Sequence, residues 1–261
     1  TEVQRLENRS TKTIPFRALR YPVPKDPVVI SATGVTPVVW QSRAGSWAGG
    51  AICSGPMASQ WFVGGAADVT SKGRLVLINS GLSEAIIDVE IWSEAGIRPP
   101  KVVTLKANSS VVQSLDSLDP GAKRIALHVA PRSGRVNAFL VDERGRGLKS
   151  LGGDMVNASP DPSKVVVIPA IPHMKRSGKA LGHTLRVIAP GDVDARISVE
   201  LISTKGSFVP FGFDDRAVKA GIVTEIPLNP ELVPSTFALK ITSDRPIVAS
   251  VYSSTYADGK S

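Results

Sequence analysis

The sequence predicts an all-β protein of two tandem antiparallel β-sandwich domains, each of immunoglobulin-like size, related by an internal repeat. Three observations carry that expectation. Valine supplies 31 of the 261 residues, and a β-branched side chain, stiff at χ1, favours a pleated and half-buried surface. The 23 Gly and 20 Pro make up about one residue in six, and the turns they mark recur about every ten residues, which leaves room for strands but not for long helices. Finally, Leu75 to Ile91 (LVLINSGLSEAIIDVEI) aligns without a gap with Leu185 to Leu201 (LRVIAPGDVDARISVEL) at an offset of 110 residues. Self-similarity at a fixed period marks repeated structural units.

Residues 1–30 read as an extended lead-in segment. Its first 27 residues carry six basic and three acidic side chains, end in three prolines and show no apolar period. The first domain is expected over 31–155 and the second over 156–261. Short β-branched runs, VVIS (28–31), TPVVW (36–40), WFV (61–63), RLVLI (74–78) and AIIDVEIW (85–92), read as strands. Gly81 and Gly191 centre the turns that follow RLVLI and LRVI, where positive φ is useful. In Ala195 to Leu201 the apolar residues Ala, Ile, Val and Leu alternate with Arg, Ser and Glu, the pattern of a strand with one wet face. The repeat extends through Leu105-Lys106-Ala107 onto Val218-Lys219-Ala220, and through Ile125 to Val129 onto Phe237 to Ile241. It closes with Arg135 to Ala138 on Pro246 to Ala249. WFVGG (61–65) and VVVIPA (165–170) supply one further strand before each unit. The offset drifts only between 110 and 113, so insertions fall in turns, as in duplicated domains. No segment reads as a long helix.

The segments LINSGLSEAIIDVEIWSEAG, LKANSSVVQSLDSLDPGAKRIALHVAPRSGRVNAFL and LRVIAPGDVDARISVELISTKG resemble an uncharacterised family of actinobacterial cell-envelope proteins, filed as a domain of unknown function. The resemblance covers roughly residues 36–255. It implies an extracytoplasmic β-rich region, secreted or membrane-anchored through a segment upstream of Thr1, associated with envelope glycan functions. The sequence departs from the family pattern at Ser80, where Pro is typical, and at Ala189-Pro190, where Asn-Pro is typical. The family carries no catalytic residues to transfer.

Candidate chemistry is sparse. One cysteine, Cys53, excludes an internal disulfide and a paired-thiolate zinc site, and reads as a buried apolar residue. His128 falls on a strand, while His173 and His183 read as solvated loop histidines without metal-ligand spacing. No metal and no cofactor are expected. GSWAG (45–49) is not a nucleophile elbow, because its serine sits one place early. The acidic residues Asp192, Asp194, Asp214 and Asp215 fall in turns, where Asp bonds to local backbone. The formal net charge of +8 is spread along the chain; without a recognition helix or interleaved aromatics it does not describe a nucleic-acid binder. Its densest stretch, Lys175, Arg176, Lys179 and Arg186, is a candidate anion-binding loop. Trp47, Trp40 and Trp61 are candidates for stacking on a glycan or partner, with Trp47, in RAGSWAGG, the most exposed of them.

The expected function is that of a non-enzymatic, extracytoplasmic interaction or scaffold protein of the cell envelope. Its partner is an envelope protein such as a membrane glycosyltransferase, or an envelope polysaccharide. The rival reading is a carbohydrate-binding module using the Trp-rich stretch; a hydrolase with an unrecognised site is a third. Membrane attachment would come only through an upstream anchor.

Overall fold

The computed structural model describes residues 30, 39–43, 47–147, 149–176, 179–228 and 236–254. Apart from Ile30, the lead-in segment and the strand expected at 28–31, and most of that at 36–40, therefore lie outside the described residues. The protein is all-β, with several antiparallel sheets. Among the described residues one 3-10 turn, Leu115–Ser117, interrupts the strands, and no helix is long and apolar enough to cross a membrane.

The first strands among the described residues are a hairpin of β1 (Val39–Arg43) and β2 (Gly49–Cys53). The next eight strands are β3 (Gln60–Val63), β4 (Arg74–Asn79), β5 (Ala85–Ser93), β6 (Gly96–Leu105), β7 (Ser109–Ser114), β8 (Ile125–Ser133), β9 (Asn137–Arg146) and β10 (Lys149–Val156). They form two four-stranded sheets, in the orders β3-β8-β5-β6 and β10-β9-β4-β7. Leu75, Leu77 and Leu140 from one sheet and Ile87, Val89, Leu127 and Val129 from the other pool into one core. Alternation explains the sidedness: in β4 every second residue is buried, because successive side chains point to opposite faces. Pro99 and Pro100 lie within β6, where they are tolerated because β6 is an edge strand.

The second half comprises β11 (Ser163–Ile171), β12 (Lys175–Arg176), β13 (Lys179–Ala180), β14 (Gly182–Ile188), β15 (Ala195–Ser203), β16 (Gly206–Phe208), β17 (Arg216–Val218), β18 (Thr224–Leu228) and β19 (Phe237–Ser254). β19 is the organising strand. Its first part pairs with β11 on one side and β15 on the other; its last part pairs with β14, which pairs with β18. A second core gathers Leu185, Val187, Ile197, Val199, Leu239, Ile241 and Ile247.

Two expectations are corrected. The repeat sets Pro246 to Ala249 on Arg135 to Ala138, where the first half turns from β8 into β9, but β19 runs unbroken through that stretch for 18 residues. In the first half Gly134, at φ 73, takes a left-handed conformation that lets the chain turn between β8 and β9; the second half has Ser-Asp-Arg-Pro in that stretch and bends without turning. Cys53 is half-buried rather than buried, and burial still pushes its thiol pKa up, against a backbone hydrogen bond from Gln41 that lowers it.

Candidate functional site

Trp61 stands directly opposite His128 in the β3–β8 register, and His128 stands opposite Glu90 in the β8–β5 register. The three side chains therefore share the face of this sheet turned away from the first core. The Trp61 indole stacks on the His128 ring at 4.2 Å and on Trp92 at 5.2 Å. His128 Nδ1 lies 2.7 Å from Glu90 Oε2, and Nε2 lies 3.0 Å from Ser59 Oγ. The Ser59 hydroxyl in turn donates to Asp161 Oδ1 at 2.7 Å, and Ser159 N donates to Trp61 O at 2.7 Å.

Carboxylate, imidazole and hydroxyl thus stand in the order of a hydrolytic triad. Two further observations describe the set. The hydroxyl has one proton, and the carboxylate of Asp161 is there to accept it, so Oγ is engaged by the connector between the halves. In the second half, the residues at the same registers are Glu200 and Lys240, an ion pair at 3.5 Å. A lysine ammonium has no acceptor lone pair. What recurs is a glutamate opposite a basic side chain across the strands, and in the first half that side chain also reaches the connector through Ser59.

The same face meets the second half. Trp61, Val63, Trp92 and Ala126 form one buried cluster with Ile188, Val223 and Val248. Arg186 crosses the seam: Nη1 donates to Gly65 O at 2.7 Å, while Nε and Nη2 donate to Glu225 Oε1 at 3.0 and 2.7 Å. Ser250 Oγ donates to Val63 O at 2.5 Å, and Val223 N to Ser93 O at 3.0 Å. Arg124, from the first half, pairs with the other oxygen of Glu225 at 3.4 Å.

Several expected site residues occupy other environments than the sequence implied. Arg186 is 5% exposed and spends its donors inside the protein, so it does not face an anion in solvent. The backbones of Lys175, Arg176 and Lys179 form the β12–β13 hairpin; their side chains lie outside the described residues. Trp47 is 6% exposed, against the expectation that it is the open one. Its ring lies over Gly49 and Gly153, where an added Cβ would meet it at 2.9 and 2.8 Å; the glycines make a seat rather than an opening. Trp61 is buried in the seam, whereas Trp40 is 56% exposed and faces Ile52, 66% exposed, across the β1–β2 hairpin.

His173 and His183 are buried, not solvated. His173 Nδ1 lies 3.0 Å from His183 Nε2, His183 Nδ1 lies 2.8 Å from Ser253 Oγ, and both rings meet the edge of Phe237. Burial, then the neighbouring His173, lowers the His183 pKa. Asp194 caps the Ala220 N–H at 2.8 Å, and Asp215 pairs with Arg196. The sequence did not single out Ser59, Glu90 or Asp161. Strand register would have joined Glu90 to His128, but Ser59 and Asp161 are 102 residues apart with no local signal between them.

No curated protein matches this chain. One solved structure, the crystal structure of Thermotoga maritima 1070, is similar at 16% identity over 40% of this chain and 95% of that one, with a TM-score of 0.35. The model of a family of unknown function, DUF5719, matches residues 30–261, and the chain belongs to that family.

Proposed function

We propose that this chain is an extracytoplasmic interaction or scaffold protein of the cell envelope, built from two tandem β-sandwich units of common origin and acting by binding rather than catalysis. The duplication reading is supported by strand order: β3-β8-β5-β6 in the first half parallels β11, the first part of β19, β15 and then β16 and β17. Likewise β9-β4-β7 parallels the last part of β19, β14 and β18. The envelope setting rests on the resemblance drawn from the repeat motifs.

The observation that carries the scaffold reading is the seam. A buried arginine with three donated bonds, an apolar cluster drawn from both halves and backbone bonds across the joint hold the two units as one body, so surfaces on separate units keep a set spacing. Such a body suits holding partners in register. Crosslinking the protein in its host and purifying it should recover a membrane glycosyltransferase or another envelope protein; recovery of the bait alone overturns the scaffold reading.

A second reading is favoured by Trp40. The flat Trp40–Ile52 shelf on β1–β2 is open to solvent, and an exposed indole face can stack on a sugar ring. Titration with envelope polysaccharide should then change tryptophan fluorescence, and Trp40→Ala should abolish the change. No response at millimolar glycan removes this reading.

A further inference from the structure

We propose that the second half docks on an anionic lipid surface through a corner formed by the run Phe208-Val209-Pro210-Phe211 and the cations beside it. The proposal goes beyond the scaffold reading and does not require it: it adds a membrane contact made by the folded chain itself.

The run interrupts a strand. In the first half β6 pairs with β5 along its whole length, from Gly96 opposite Ser93 to Leu105 opposite Ala85. In the second half β16 pairs with Leu201 to Ser203 and β17 with Ala195 to Ile197, and the residues between them leave the edge of β15. The offset between the repeats rises here from 110 at Gly206 to 113 at Val218, so the second half is three residues longer where the loop stands out. The base of the loop is fixed. Phe213 packs against the second core, its carbonyl accepts Val199 N at 2.8 Å, and its own N–H donates to Pro210 O at 3.0 Å. That last bond closes a four-residue turn whose third position is Gly212, at φ 75, where glycine is favoured. The turn holds Phe211 fully exposed, beside Phe208 at 47% and Val209 at 43%. A single exposed apolar side chain is ordinary. A consecutive run of them on a pinned turn marks an interaction surface.

Cations gather at the adjoining end of the sheet. β11 ends at Ile171 opposite Phe237, and β15 ends beside Ile202 opposite Ala238, so the connection after β11 and the turn after β15 leave from the same end. His173 and His183 bond to each other and both rings meet Phe237, which brings the β12–β13 hairpin between them to that end as well. Leu181 N donates to Met174 O at 3.1 Å across the base of the hairpin, and Met174 is itself exposed. Lys175, Arg176, Lys179 and Lys205 thus belong to this end, and residues 171–183 and 203–213 contain no acid. The connection between β18 and β19, whose flanks Leu228 and Phe237 stand there too, carries one, Glu231. Beyond the loop, Asp215 pairs with Arg196, and Arg216 lies 5.6 Å over the Phe213 ring; Asp214 is the further acid of this stretch. Asp192, Asp194 and Asp244 stand at the opposite end, around the start of β15.

A bilayer interface fits both features. A protruding phenyl ring needs a matching pocket in a protein partner, whereas a lipid interface parts around it. The neighbouring cations then lie at the level of anionic headgroups.

Flotation of the full chain with vesicles of phosphatidylcholine alone, and of phosphatidylcholine with about one third phosphatidylglycerol, tests this. The parent should float with the anionic vesicles and not with the neutral ones, and added salt should release it. Phe211→Ser changes a side chain in open solvent, so the fold is kept, and binding should fall roughly tenfold. Lys205→Gln and Lys179→Gln should each lower it roughly fivefold. Ile97→Ser, at an exposed position of β6 in the first half, should bind as the parent does. No binding to anionic vesicles, equal binding to both compositions, or unchanged binding of Phe211→Ser overturns the proposal. So does an equal loss in Ile97→Ser. Capture of a soluble anionic polysaccharide without any vesicle binding would assign the corner to a glycan instead. Each of these results leaves partner capture in the host, the test of the scaffold reading, as a separate outcome.

Discussion

The polar residues paired across strands and in the second core carry the sharpest expectations. His128 and Lys240 occupy matching registers, each beside a glutamate, so His128→Lys should preserve the pair with Glu90 and place an ammonium against the Trp61 ring, a favourable contact. Its stability should fall within about 1 kcal/mol of the parent in urea titration, the scale of a partly exposed pair; a larger loss would mean that the imidazole itself is required. His183 makes a pH statement. Burial and His173 lower its pKa, so the folded state binds fewer protons than the unfolded state below the ordinary histidine value of about 6.5. Its contribution to stability is whole above that value and is lost as pH falls toward the lowered one. Urea midpoints measured from neutral to mildly acidic pH should fall, and should fall less in His183→Gln. Neither the His173–His183 contact nor the burial of Arg186 was legible in the sequence. A cation-rich loop beside a strand reads as solvated; the histidine contact follows from the fold of the second half, and the burial of Arg186 from the packing of one half on the other.

At the level of elements, alternation made the central strands legible, because β4, β5 and β15 each bury every second side chain. The strands that escaped notice have weak alternation. β10 contains Gly152 and Gly153, and its residues are mostly half-buried. Gly153 is nevertheless a packing position, since a Cβ there would stand 2.8 Å from the Trp47 ring and 3.0 Å from Asp142 O. Gly153→Ala should therefore cost about 1–3 kcal/mol through overpacking, measurable by urea unfolding, with the Trp47 emission shifted toward that of exposed indole. A neutral outcome would mean that the indole does not rest on β10. Trp47 was misread for the same reason: a glycine-rich surrounding suggests an open loop, yet here the missing side chains belong to the surface on which the ring lies.

For the whole molecule, the internal repeat reads as two units, and the proposal that they share an origin rests on the likeness of the strand orders in the two halves. What the repeat did not announce is their joining. Duplicated sequences predict duplicated interiors, because interiors alternate in the same way; outer faces diverge, and Val76 against Arg186 or Trp61 against Val167 shows where. Those divergences bury Trp61 and Trp92 and spend the donors of Arg186 on Gly65 and Glu225. Removing that guanidinium leaves the Gly65 carbonyl without its donor and Glu225 with Arg124 alone, at a cost of about 1–3 kcal/mol. Differential scanning calorimetry of the parent and of Arg186→Ala tests the seam most directly. A single transition in the parent, with equal calorimetric and van't Hoff enthalpies, that separates into two in Arg186→Ala is the result predicted for two units locked through their outer faces. Two independent transitions in the parent would contradict it.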